Sequence, residues 1–140
     1  MGISAVFVMI LIDTSAWIEF FRRKGNPLVK QRIATLITAN EAAYTCPVFF
    51  ELISGALDQE LPSISKGLSF ATRIQLSPSD WDMAAHSAQT LRKSGVTVPS
   101  DDLLIATVGF ERSIPILCRD KHFSMIQSNV YSELKLENIL

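Results

Sequence analysis

The sequence predicts an α/β domain with a central, mainly parallel sheet and helices on both of its faces. Two observations carry this. Short apolar runs of strand length (Ile10-Leu11-Ile12, residues 42–46, residues 114–118) alternate with longer segments of helical periodicity. Cap and turn signals separate the two kinds of segment. Such alternation is the pattern of βα units joined into a parallel sheet. At 140 residues and 48% hydrophobic content, one domain with a sizeable core is expected, spanning 1–140. No repeat, linker or low-complexity stretch interrupts it.

In chain order, residues 9–13 read as a buried strand, with Asp13 closing the apolar run that starts at Val6. Asp13-Thr14-Ser15 then supplies capping oxygens. Trp17, Ile18, Phe20 and Phe21 recur at helical spacing, and Arg22-Arg23-Lys24 end that helix where its dipole favours cations. Gly25-Asn26-Pro27 breaks the chain. Residues 28–39 carry Ile33, Leu36 and Ile37 on one helical face. Residues 42–46 form a short strand, and Pro47 opens a helix that continues to Leu57. Residues 61–73 look helical with weak periodicity, and Ile74-Gln75-Leu76 is a short extended piece. Ser77-Pro78-Ser79-Asp80 signals a helix start, with Asp80 and Asp82 as first-turn charges. That helix runs to Lys93 and stops at Ser94-Gly95. Pro99-Ser100-Asp101-Asp102 starts another, through about Arg112. Residues 114–118 read as a strand, 121–126 as a short helix, and Val130 as the start of an edge strand.

Composition narrows the function classes. A net charge of −1 gives no global basic field for non-specific nucleic-acid binding, so any such contact needs a local patch or a metal. With 19% charged residues the chain is not disordered. Two histidines and two distant cysteines, Cys46 and Cys118, poorly support a zinc site. Unpaired thiols suit a reducing cytoplasm. The N-terminal apolar run is shorter than the roughly 20 residues that span a bilayer. Met1-Gly2-Ile3-Ser4 lacks the basic start of a signal peptide. Met9 stands directly before the first strand, so residues 1–8 read as an upstream extension.

The chemistry lies in four acids at the edges of apolar elements: Asp13, Glu51, Asp102 and Asp120. In a parallel α/β sheet, ligand sites form at the carboxyl ends of the strands. Asp13 and Asp120 fall at such ends, and Glu51 and Asp102 in early turns of helices aimed at the same edge. Like charges about 5 Å apart repel by about 3 kcal/mol at an effective dielectric of 20. A converged, fully ionised set is therefore untenable, and the acids either take up protons or hold a divalent cation. Oxygen-only donors suit Mg²⁺ or Mn²⁺. Taken singly, each acid has a plainer role: Asp13 as an N-cap, Asp101 or Asp102 as a helix-dipole partner, Glu51 on a solvated face, Asp120 at a strand end.

These motifs, in this order, resemble the PIN-domain nucleases of the VapC toxin type. Ile10-Leu11-Ile12-Asp13-Thr14-Ser15-Ala16-Trp17-Ile18 is similar to the family's opening. Pro47-Val48-Phe49-Phe50-Glu51-Leu52-Ile53-Ser54-Gly55 resembles its second-acid helix, Asp102-Leu103-Leu104-Ile105-Ala106-Thr107 its third-acid helix, and Leu117-Cys118-Arg119-Asp120-Lys121-His122-Phe123 its fourth-acid loop. The resemblance spans roughly residues 9–126. It implies a three-layer α/β/α fold and a Mg²⁺- or Mn²⁺-dependent endoribonuclease that leaves 5′-phosphate and 3′-hydroxyl ends. It further implies a homodimer and a cognate antitoxin. Asp13, Glu51, Asp102 and Asp120 would hold the metal, Glu51 directly or through water. Thr14 or Ser15 would orient a carboxylate or a water through its hydroxyl. Cys118 departs from the pattern: the family usually has Thr or Ser there, and a thiol is a weak donor.

Other features carry two readings each. Trp17, Phe20 and Phe21 make an aromatic stripe, by default core; the resemblance implies an antitoxin groove along the same helix. Arg22, Arg23 and Lys24 form a solvated helix end that could touch RNA phosphates. His86 and His122 read as structural or surface residues, since metal-activated water needs no general base. An aspartate-based phosphatase would want a second Asp at the position of Ser15. A phospho-receiver would want an acid pair after the first strand, whereas the pair here is Asp101-Asp102. A catalytically weak PIN scaffold acting through partner binding is the remaining alternative, and Cys118 keeps it open.

Overall fold

The computed structural model describes residues 8–139. The elements are β1 (Ile10–Ile12), α1 (Thr14–Phe21), α2 (Pro27–Thr38), β2 (Ala42–Thr45), α3 (Cys46–Ser54), a 3-10 turn (Asp58–Glu60), α4 (Leu61–Ser69), β3 (Thr72–Ile74), α5 (Pro78–Lys93), α6 (Ser100–Arg112), β4 (Ile116–Cys118), α7 (His122–Asn129) and β5 (Leu136–Asn138). The five strands form one sheet in the order β3-β2-β1-β4-β5. Every pairing is parallel. From β1 the chain steps outward through β2 and β3, then returns to β1's other side for β4 and β5. Right-handed crossovers in opposite directions place helices on opposite faces of the sheet, giving three α/β/α layers.

Burial explains which strands the sequence announces. β1 and β4 are buried along their whole length, so both read as continuous apolar runs. Leu11, Ile12, Ile116 and Leu117 are fully enclosed, as are Trp17 and Phe123. Seven consecutive residues of α6, from Leu103 to Gly109, are buried, and the Thr107 hydroxyl satisfies itself on the Leu103 carbonyl at 2.8 Å. At Gly109 the helix meets β4 so closely that an added Cβ would lie 2.9 Å from both the Ile114 carbonyl oxygen and the Ile116 side chain. α5 is clamped to α6 by Asp80, which closes a capping box with Ser77 and pairs with Arg112 at 2.9 Å. Burial alone would raise the Asp80 pKa; the Arg112 and Ser77 bonds outweigh it and lower it.

Several expected boundaries move. The third strand is Thr72–Ile74, not residues 74–76, and α4 stops at Ser69. α3 stops at Ser54, short of Leu57. The last strand is Leu136–Asn138; Val130 instead caps α7, and Tyr131 beside it is buried with its hydroxyl 2.7 Å from that of Thr107. β3 and β5 are the sheet's edges and carry polar residues such as Arg73 and Glu137, so no apolar run marks them. Arg22, Arg23 and Lys24 lie beyond α1 in an exposed turn, because the backbone is already extended at Arg22. Residues 1–7 fall outside the described residues, and with them nearly all of the expected extension; Val8, its last residue, is exposed.

Candidate active site

β1 and β4 lie side by side, and the Asp13 N–H bonds the Leu117 carbonyl at 3.0 Å. Both strands therefore end together, and Asp13 and Asp120 emerge at the same edge. Asp13 caps α1: its carboxylate accepts from the Ala16 N–H at 2.8 Å and from the Ser15 hydroxyl at 2.8 and 3.0 Å. The capping reading of Asp13 is thus structurally correct, and it coexists with a place in the acidic cluster. Thr14 next door donates its hydroxyl to Glu51 Oε1 at 2.7 Å, tying α3 to α1. The two hydroxyls after Asp13 each hold a different acid.

Asp102 lies in the first turn of α6, and Asp120 just before α7. Asp120 Oδ1 accepts the His122 N–H at 2.8 Å, and its carbonyl is held by the Asn138 amide at 2.8 Å. Asp102, Asp120 and His122 each offer one ligand atom, and these atoms lie within 4.8 Å of one another. His122, expected to be structural or on the surface, stands in the cluster. A lone His in a sequence looks the same in both roles; its position two residues after Asp120 was the available signal. Asp101 is a second addition. Its carboxylate is near enough to Glu51 to raise the Glu51 pKa. His86 is exposed on α5.

Burial and mutual repulsion both disfavour the charged forms of these carboxylates. Burial pushes Asp13 up from 3.8 to about 7, with Asp120 and Asp102 adding to the rise and the Ala16 and Ser15 bonds opposing it. Asp102 rises to about 6, first from burial, then from Asp120 and Glu51, with His122 opposing. Glu51 is also raised, by burial and then by Asp101, against the Thr14 bond. The Cys118 thiol is buried beside them and strongly raised by burial and by Asp13, Asp120 and Asp102, so it stays a neutral thiol. A hydrogen bond from the Asp120 backbone N–H opposes that rise. Among the described residues, no Lys or Arg is ion-paired with the four acids. Arg119, next to Asp120, is engaged elsewhere, with Glu19 at 2.8 Å.

This donor set fits a divalent cation. It holds several raised carboxylates with no Lys or Arg partner among the described residues. It also holds a buried imidazole Nδ1 that makes no hydrogen bond, although Asp102 Oδ2 is only 3.2 Å away. The distance permits a bond and the alignment does not, so the nitrogen is left unsatisfied. A cation among these atoms would remove both penalties at once.

A groove of about 200 Å³ leads from Arg22, Ile18 and Phe21 to Glu51 and Leu52. Trp17 does not reach it: the ring is 0% exposed, stacked on Phe21 at 5.6 Å, so any partner-facing role on α1 falls to Ile18 and Phe21. A larger cavity, about 380 Å³, lies between α5 and α6, with Trp81, Leu91, Val98 and Leu103 in its lining and none of the four acids.

A PIN domain family model matches residues 10–128. VapC ribonuclease Mb1587 of Mycobacterium bovis is 32% identical over 123 residues, covering 84% of this chain and 91% of that protein. Ribonuclease VapC11 of Mycobacterium tuberculosis matches at the same identity and coverage. Among solved structures, VapBC2 from Rickettsia felis bound to a promoter DNA fragment superposes with a TM-score of 0.76 at 18% identity, covering 95% of this chain and all of that one. DNA-bound VapBC from Salmonella typhimurium gives 0.77 at 15% identity, over 94% and 98% of the two chains. The strand order, the acid-bearing edge and these matches agree: the chain belongs to the PIN-domain family, alongside the VapC ribonucleases.

Proposed function

We propose that this protein is a metal-dependent endoribonuclease, the toxin of a toxin–antitoxin pair, acting in the cytoplasm. The observation that carries the reading is Asp102 and Asp120 with ligand atoms within 4.8 Å of each other and of His122, with Asp13 and Glu51 close enough to interact electrostatically with them and no Lys or Arg paired with any of the four among the described residues. Asp13, Asp102 and Asp120 hold Mg²⁺ or Mn²⁺, with Glu51 joining directly or through water. Such an ion, when bound, activates water and clamps phosphate oxygens for in-line displacement. The chain's own part is positional. Ser15 and Ala16 fix the Asp13 carboxylate, Thr14 fixes Glu51, and the His122 N–H and the Asn138 amide fix Asp120. Arg22, Arg23 and Lys24 form the exposed basic turn that touches RNA phosphates.

Two protein partners complete the proposal. The solved relatives are VapBC assemblies, which supports a cognate antitoxin seated in the Ile18–Phe21–Leu52 groove. The apolar hollow beside Trp81 supports a homodimer. The test is cleavage of total RNA by purified protein free of antitoxin. Cleavage should require Mn²⁺ or Mg²⁺, stop with EDTA, and be absent in Asp102→Asn. Either ion at millimolar concentration should also raise the melting temperature. Metal binding and partner capture with no RNA cleavage would favour a PIN scaffold that acts through partners, a reading that Cys118 in place of a hydroxyl keeps open.

A further inference from the structure

We infer that His122 is a direct nitrogen ligand of the metal and sets its preference for Mn²⁺ over Mg²⁺; this rests on the metal-site reading above. His122 opens α7, and its own N–H is fixed on Asp120 Oδ1 at 2.8 Å. That bond ties the ring's backbone to the carboxylate it would share a metal with. Nδ1 then lies 3.2 Å from Asp102 Oδ2 and 3.5 Å from Asp120 Oδ1. Neighbouring donors of an octahedral ion with bonds near 2.1 Å stand about 3 Å apart. The two observed separations are slightly wider than that, as expected of a donor set that closes by a few tenths of an ångström on an ion.

The alternative use of Nδ1 is a hydrogen bond to Asp102, and the geometry does not make it. Nδ1 is buried and unbonded, while the side chain as a whole is 32% exposed. The buried atom is therefore the one facing the acids. An unsatisfied buried nitrogen costs on the order of 1–3 kcal/mol unless another partner takes its lone pair. A metal ion supplies that partner. No other imidazole competes for the role, because His86 is exposed on α5 and the chain has two histidines.

The choice of metal follows from the donor atom. A set of carboxylates alone suits Mg²⁺, which keeps its waters and favours oxygen. Imidazole nitrogen favours transition ions, and Mn²⁺ is the one that also accepts several carboxylates. His122 thus adds affinity selectively to Mn²⁺. Losing a residue that merely positions a metal ligand lowers affinity about 10–100-fold, so losing the nitrogen itself should weaken Mn²⁺ by at least about tenfold and Mg²⁺ far less.

The experiment is pulsed electron paramagnetic resonance on the full chain loaded with Mn²⁺, together with Mn²⁺ and Mg²⁺ titration calorimetry. Wild type should show a directly coordinated ¹⁴N coupling. His122→Asn places an amide oxygen near the position of Nδ1, so it should keep the metal, lose the ¹⁴N coupling and bind the two ions with similar affinity. His86→Asn should change nothing. Bound Mn²⁺ with no ¹⁴N coupling in wild type overturns the ligand role while leaving the acid site standing. A coupling that persists in His122→Asn overturns it too. Failure of wild type to bind either ion removes the metal site itself and the inference with it.

Discussion

At the scale of single residues, Asp13 combines two roles that pull stability in opposite directions. Its bonds to Ala16 and Ser15 start α1, while its burial disfavours the charge. The interval from 3.8 to about 7 corresponds to roughly 4 kcal/mol. Between those values the unfolded chain has released a proton that the folded chain keeps. Metal-free protein should therefore lose stability as pH rises from about 4 to about 7, with Asp102 adding to the slope up to about 6. Melting curves in EDTA across that range should show the decline, and Mn²⁺ should flatten it. Asp13→Asn keeps a capping oxygen and removes the charge. At pH 8 without metal it should melt higher than wild type, yet show no gain with Mn²⁺ and no RNA cleavage. A lower melting temperature would mean that the charged cap outweighs the burial penalty. Trp17 illustrates the converse. It is wholly enclosed, so Trp17→Ala should destabilise by about 3–5 kcal/mol. A defect in partner capture with unchanged stability would contradict that placement.

At the scale of elements, α6 separates two adjacent acids. Successive helix residues diverge by about 100°, and the structure sets Asp102 toward His122 and Asp101 toward Glu51. Asp102→Asn should abolish cleavage. Asp101→Asn should keep it and relieve part of the rise on Glu51, moving the acid limb of the pH–rate profile to lower pH. Equal loss in both variants would place Asp101 on the reaction path. A helix-dipole role alone would leave the profile where it is. What the sequence made legible follows burial. β1 and β4 are buried throughout, so each was visible as an apolar run with an acid just beyond it. β3 and β5 are three-residue edges with mixed surfaces, which no periodicity resolves. The four acids were legible because each interrupts an apolar context. His122 and Asp101 were not, because their significance lies in which side chain they meet across the fold.

At the scale of the whole molecule, the two hollows face different parts of the surface. The groove at Phe21 opens beside Glu51, whereas none of the four acids lines the α5–α6 cavity at Trp81. A homodimer through Trp81 leaves the groove free for a second protein. Light scattering at tens of micromolar should give a dimer, and Trp81→Glu should shift it to monomer without loss of Mn²⁺ binding. A wild-type monomer under those conditions would remove the dimer from the proposal.

The pairing of β1 with β4 has a consequence in time. Asp13, Glu51 and Asp102 are all synthesised before β4, but the edge they share is not complete until residues 116–122 have left the ribosome and docked beside β1. A nascent chain thus carries three of the acids and no working site. The same holds for any product of premature termination or proteolysis that lacks β4 and α7. On the proposed site, such fragments are expected not to cleave RNA, which an assay of a chain ending before residue 116 checks.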